Sequence, residues 1–213
     1  MRFTYKDTCT IATGLILTSS TFIIGMFFNN FTYDLHVLFS KDATQATFDN
    51  SLRHYQALYY SHPAFNYTFY TIAAIGCLAH AVRLYKPNPD MQTFEYISLG
   101  LYVMGFCVYL TNIRTGLESS VIRNWGEVSE NQGLAIIGSS NIILIMLYFG
   151  VLCLQAGIWY TDWDYQLRLK EYYAQEKKEQ NQKDKAQEKE SKGESTATAT
   201  ANAGTTKKTS KKA

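Results

Sequence analysis

Four long stretches of this chain carry no charged residue, and they limit the possible folds more than anything else in the sequence. Cys9 to Phe28 is twenty residues, Ala64 to Val82 nineteen and Tyr96 to Ile113 eighteen. The fourth, Gly133 to Thr161, holds the apolar block LAIIGSSNIILIMLYFGVLCLQAGIW. A bilayer core of about 30 Å needs roughly 20 helical residues at about 1.5 Å each. Soluble cores seldom leave so many residues uncharged in one small chain. The expected fold is an all-α membrane protein with four transmembrane helices, at about 9–28, 64–82, 96–113 and 134–159. The mean hydropathy of −0.17 conceals this. It averages a membrane domain over 1–163 with a hydrophilic tail over 164–213 built mostly from Lys, Glu, Gln, Ala, Thr and Ser.

The first run is not read as a cleaved signal peptide. It exceeds the usual apolar length, and the following FNNFTYD lacks a small-residue cleavage site. Orientation follows the Lys and Arg residues near the span ends. Arg2, Lys6, Arg83, Lys86, Arg168, Lys170, Lys177 and Lys178 fall on one side, and Lys41, Arg53, Arg114 and Arg123 on the other. Eight against four puts both termini in the cytosol and residues 29–63 and 114–132 in the lumen or exterior. Glycosylation motifs begin at Asn30 and Asn66, both against or inside a span, where a glycan is awkward. The four cysteines fall one per span, so no lumenal disulfide framework or C-x-x-C motif is expected.

Helices in lipid associate through small residues and a few polar contacts. In the first run Thr10, Gly14, Thr18, Thr21 and Gly25 share one face, suited either to packing within the bundle or to docking another membrane protein's helix. Gly150, Cys153 and Gly157 repeat the pattern in the fourth run. Asn141 and Gln155 lie fourteen residues apart, close to four turns, and share a face. Each needs a partner, either here or on a client helix. No Asp, Glu, Lys or Arg lies inside an expected span, which weighs against ion pathways and proton relays. His80 is the only ionisable group there apart from tyrosine and cysteine.

In the first long loop Asp42 is a candidate N-cap, with Gln45 three residues on. Phe48, Leu52, Tyr55 and Tyr59 then form one apolar face, suited to a helix on the lumenal interface. His36, His54 and His62 match no ligand spacing, and neither a metal nor a cofactor is expected. There is no G-x-S-x-G, P-loop or G-x-G-x-x-G. The acidic stretch NWGEVSENQGLA (124–135) places Glu127 and Glu130 at i, i+3 with no nucleophile or histidine beside them. Ser129 and Gln132 have capping-box spacing, so the stretch reads as the capped start of the fourth span. Glu127, Glu130 and Asn131 remain candidate client contacts. Past Ala174, alternating Lys and Glu leave nothing to bury, and a solvated helix or disorder is expected. The ending KKTSKKA approximates a dilysine retrieval signal, but its lysines lie second and third from the end.

Several stretches together carry a resemblance: FDNSLRHYQALYY (48–60), YKPNPD (85–90), FEYISLGLYVMGFCVYLTN (94–112), NWGEVSENQGLA (124–135) and WYTDWDYQLRLK (159–170). In this order they resemble the fungal amino acid permease packaging chaperones, four-span proteins of the endoplasmic reticulum membrane. The resemblance implies a non-enzymatic chaperone that keeps newly made amino acid permeases from aggregating, with a cytosolic tail that brings vesicle coat components near. Its other partner is the lipid bilayer, and no nucleic acid is implicated. The candidate client or helix contacts are Gly14, Thr18, Thr21, Gly25, Asn141, Gln155, Glu127, Glu130 and Asn131. The alternatives are a scaffolding four-span protein and, with less support, a small transporter.

Overall fold

The computed structural model describes residues 5–40, 43–86 and 89–203. Every regular element among them is a helix: α1 (Tyr5–Phe28), α2 (Phe31–Phe39), α3 (Gln45–Tyr59), α4 (Pro63–Leu84), α5 (Gln92–Val108), a π-helical turn (Tyr109–Ile113), α6 (Arg114–Ile122) and α7 (Glu130–Ala203). The chain divides into two compact units, one running through Trp159 and the other starting at Tyr160.

Three helices are long and apolar enough to cross a membrane: Asp7–Phe28, Gln92–Ile122 and Glu130–Gln182. The remaining expected span, 64–82, coincides with α4, whose 22 residues give about 33 Å of helix at about 1.5 Å each, long enough to cross. Its composition is less apolar than the other three, because Asn66, Thr68, Thr71 and His80 interrupt it. α4 lies along α1 and also packs against α5, burying Phe69, Ala73, Gly76, Ala79 and His80. A helix held between neighbours needs fewer apolar residues than one facing lipid on most sides.

The third span differs from its expected end at Ile113. The helix continues through Arg114 to Ile122 because a π-turn at Tyr109–Ile113 inserts one extra residue without breaking it. Such single-turn bulges re-aim the side chains beyond them, and here they bring Ser120 inward. The helix ends at Arg123, whose φ of 56° is a left-handed C-cap. Gly126 follows with φ 64°, tightening the turn into α7.

Residues 29–63, expected to hold one interfacial helix, hold two. α2 starts almost directly after α1, and α3 packs against both α2 and α6. The N-cap position of α3 is Thr44, not Asp42, which lies outside the described residues. The expected apolar face is covered by protein for most of its length. Leu52 and Tyr55 are buried with Leu134 and Ile137, and Phe48 packs against them, while Tyr59 is exposed.

The main core is aromatic. Phe27, Phe69 and Tyr109 meet with ring centroids 4.4–5.8 Å apart, and Tyr102 meets Tyr148 edge-on at 5.1 Å. Glycines make room for these rings. A Cβ on Gly76 would collide with the Tyr102 hydroxyl, and one on Gly105 would fall 2.7 Å from the Tyr148 ring. Gly116 and Gly133 accommodate Ile137 and Trp125 in the same way.

α7 continues through the Lys/Glu stretch to Ala203, so of the solvated helix or disorder expected there, helix is what part of the tail adopts. Arg168 with Asp164 and Gln166 with Asp162 pair at i, i+4 on its exposed surface. The dilysine-like ending lies outside the described residues.

Candidate functional site

Two buried polar clusters are strung along α7, and one of its amides closes each. The first begins with Asp34 on α2, which is 1% exposed. The Tyr55 hydroxyl of α3 donates to Asp34 Oδ1, and Asn141 Nδ2 donates to Asp34 Oδ2 at 2.8 Å and to the Tyr55 hydroxyl at 2.9 Å. Gly138, one turn before Asn141, leaves space for the carboxylate: a Cβ there would lie 3.2 Å from Asp34 Cγ. Burial pushes the Asp34 carboxyl above its ordinary range, partly offset by its two donors. Burial also raises Tyr55, with the neighbouring carboxylate adding to it. Beside them, His54 stacks on Tyr33 at 4.0 Å and lies 2.9 Å from Asn30 Oδ1. Burial lowers the His54 pKa, favouring the neutral ring.

The second cluster joins four helices. Arg83 near the end of α4 pairs with Glu95 in the first turn of α5, and the two side chains are only 13% and 6% exposed. The Arg83 guanidinium also donates to Thr13 of α1 and, at 3.0 Å, to Gln155 Oε1 of α7. Gln155 Nε2 donates to Ser98 Oγ at 2.9 Å. His80 Nδ1 lies 2.9 Å from the Gly76 carbonyl, which can only accept, so the ring proton sits there. Nε2 then accepts from Ser98 at 3.1 Å. Arg83 and Glu95 merely bounded uncharged runs in the sequence, yet they are inside the bundle.

Neither cluster is arranged for catalysis. Asp34, Asn141, His80 and Ser98 are sealed from solvent, and all of their side-chain polar atoms except Asn141 Oδ1 have partners within the bundle. A reactive group needs access for a substrate, whereas these groups act as fastenings.

The expected site residues separate into three sets. Asn141 and Gln155 share a face as their spacing required, and both find partners within this chain, at 0% and 1% exposure. The small residues of α1 face the other way. Thr10, Gly14, Thr18, Thr21 and Gly25 are all exposed, while Ala12, Ile16, Ser19, Ile23 and Phe27 point into the bundle. A Cβ on Gly14 or Gly25 would meet nothing within 4 Å. The glycines packed against neighbours are instead Gly76, Gly105, Gly116, Gly133, Gly138 and Gly150.

The third set caps α7. Gln132 N donates to Ser129 Oγ at 3.4 Å and Ser129 N to Gln132 Oε1 at 3.1 Å, a reciprocal capping box. Glu130 pairs with Arg123 at 3.6 Å, Asn131 donates to Gln45 Oε1 at 3.3 Å, and Glu127 is exposed. Asp34 carries no sequence signal of this role. It sits in FTYDLHVLF, read as loop, and only the period of the apolar residues around it (Phe31, Leu35, Leu38) marked a helix.

Comparison with known proteins adds two findings. The family model for the SHR3 chaperones, described as ER membrane protein SH3, matches residues 7–194. The secretory component protein psh3 of Schizosaccharomyces pombe is 24% identical over 165 residues, covering 78% of this chain and 76% of that protein. No solved structure matches the chain.

Proposed function

The chain belongs to the SHR3 chaperone family of endoplasmic reticulum membrane proteins, and from that premise we propose that it chaperones amino acid permeases and promotes their loading into coat vesicles. The observation that carries the client side is the outward-facing surface of α1. Gly14, Thr18, Thr21 and Gly25 lie on it, and nothing within the chain fills the grooves at the two glycines. Exposed Ile11, Leu15, Leu17 and Phe22 flank them.

A permease whose helices are only partly assembled presents polar groups and small-residue grooves that lipid cannot satisfy. The α1 surface offers such helices close backbone approach and threonine hydroxyls. In lipid, interhelical hydrogen bonds are worth only about 0.6–2 kcal/mol each, so contacts of this kind hold a client transiently and release it once it folds. Asn141 and Gln155 serve the client indirectly, by holding the helices against which α1 packs. Glu127, Glu130 and Asn131 at the mouth of α7 are second candidate contacts.

In this reading α4 is the fourth span and both termini are cytosolic. The tail is then cytosolic, on the side where coat components assemble. The chaperone itself stays in the endoplasmic reticulum.

Deleting the gene is expected to leave amino acid permeases aggregated in the endoplasmic reticulum while unrelated secretory cargo exits. Retention of all cargo alike, or normal permease delivery, would overturn the reading. A chain ending near Tyr173 is expected to keep permeases soluble in mild detergent yet package them poorly.

A further inference from the structure

Between α2 and α3 lies an open cleft of about 660 Å³, with Thr32, Tyr33, His36, Asn50, Arg53 and His54 among its lining residues. Its walls are fixed from behind. Asp34 and Tyr55, on the buried sides of the same two helices, are bonded to each other and to Asn141. His54 is held between the Tyr33 ring and Asn30. The concavity is therefore set by the fold before anything enters it.

The lining has one chemical character. It offers a guanidinium, two imidazoles, hydroxyls and an amide, and no carboxylate is among the described lining residues. Donors and a fixed positive charge converging on a wet concavity suit an oxyanion, and a guanidinium fork suits the paired oxygens of a phosphate.

The position of the cleft narrows the source. α1 ends at Phe28, and Thr32 follows four residues later across the turn at residues 29 and 30, so it lies within about 14 Å of the end of the span. A bilayer of about 40–45 Å around a core of about 30 Å has headgroup layers of about 5–8 Å on each side. The rim of the cleft at Thr32 is therefore within reach of lipid phosphates. Apolar surface adjoins it as well, with Phe28 59%, Leu35 39% and Phe39 69% exposed on the same stretch of chain. A free anion has no use for that rim, whereas a lipid has a tail to lay along it.

We propose that the α2–α3 cleft binds the phosphate of an anionic membrane phospholipid, with Arg53 as its charged contact, His36 as a hydrogen-bonding contact, and its acyl chains along Phe28 and Leu35. The site requires only that α1 crosses the bilayer. It is independent of which clients the chain serves.

The test uses the full chain in detergent micelles containing phosphatidylcholine and phosphatidylserine, with retained lipid counted by native mass spectrometry. The wild type is expected to retain phosphatidylserine in preference to phosphatidylcholine. Arg53→Gln with His36→Gln should lower that retention at least about ten-fold, the order set by losing charge-assisted contacts. Arg168→Gln, in the tail, should retain as much as the wild type. Both substituted positions in the cleft are exposed, and helical circular dichroism checks that the fold survives. Equal retention by wild type and double variant, or no preference between the two lipids, overturns the proposal. Inorganic phosphate titrated into the same micelles separates the sources. Lipid that resists it supports the assignment, while Arg53-dependent phosphate binding without lipid retention makes this a free-anion site and overturns it. Arg53-dependent capture of an acidic peptide without lipid retention overturns it equally.

Discussion

Asn141 donates to Asp34 across 2.8 Å and so joins α7 to α2 over 107 residues of chain. The same amide also reaches Tyr55, so one side chain of the last helix holds both helices of the 29–63 segment. Removing Asn141 takes one of the two donors from the buried carboxylate and leaves Oδ2 unpaired, a loss of about 1–3 kcal/mol or more for charged groups. Asn141→Leu is expected to destabilise by about that amount and to expose α2 and α3 to protease before α1. Limited proteolysis in mild detergent reads this directly. Uniform cleavage of all helices would show that the bond does not hold that segment.

The Asp34 carboxyl, raised by burial, gives the fold a pH dependence of definite sign. The folded chain holds that proton to higher pH than the unfolded chain does. Its contribution is therefore full below the ordinary carboxylate pKa and is lost as pH rises through the raised folded value. Compared with Asp34→Asn, the wild type is expected to gain unfolding midpoint as pH falls from neutral towards the ordinary carboxylate range. A flat difference across that range would mean that Asp34 does not titrate there.

Glycines facing in and glycines facing out should respond oppositely to the same change. Gly105→Val drives a side chain into the Tyr148 ring, and overpacking of this kind costs about 1–3 kcal/mol. Gly14→Val and Gly25→Val enter open space and are expected to leave the unfolding midpoint nearly unchanged. If α1 receives clients, the outward pair should still raise permease aggregation in microsomes. Normal permease solubility in that variant would remove α1 as the contact surface.

The Arg83–Glu95 pair predicts a characteristic non-additivity. Losing one member of a buried pair strands the other, at about 3–5 kcal/mol, whereas replacing both with apolar groups of similar volume is often neutral. Arg83→Met or Glu95→Leu alone should therefore lower the yield of folded protein sharply. The double variant should recover much of it, less the bonds to Thr13 and Gln155. A double variant as damaged as the worse single one would locate the damage in those lost bonds.

Features written in local spacing were legible in the sequence alone. The uncharged runs lie on α1, α4, the α5–α6 helix and α7, because a helix in lipid must satisfy its backbone internally and exclude charge. Ser129 and Gln132 needed only their three-residue separation to announce the start of α7. The shared face of Asn141 and Gln155 followed from helical periodicity. Their partners did not, since Asp34 and Ser98 lie on other helices and the match is made only in three dimensions. Asp34 was hidden for a related reason: a carboxylate in a polar-looking segment reads as solvated until another element covers it. The continuation through Arg114 was obscured because a charged residue resembles a span end. The π-turn that carries the helix past it has no sequence signature here. The outward aspect of Gly14 and Gly25 could not be read either, because a small-residue face looks alike whether it meets a neighbour or the bilayer.

The two amides of α7 act together like a pair of keys cut on one side of a shaft. Fourteen residues is about 21 Å of helix at about 1.5 Å each, and each key engages a different set of helices. Axial swivel of α7 would break both at once, and sliding by one residue would misalign both. The motion left to the bundle is flexing between the keys, around the Tyr102–Tyr148 contact. A membrane domain so constrained is a stiff last rather than a yielding cushion.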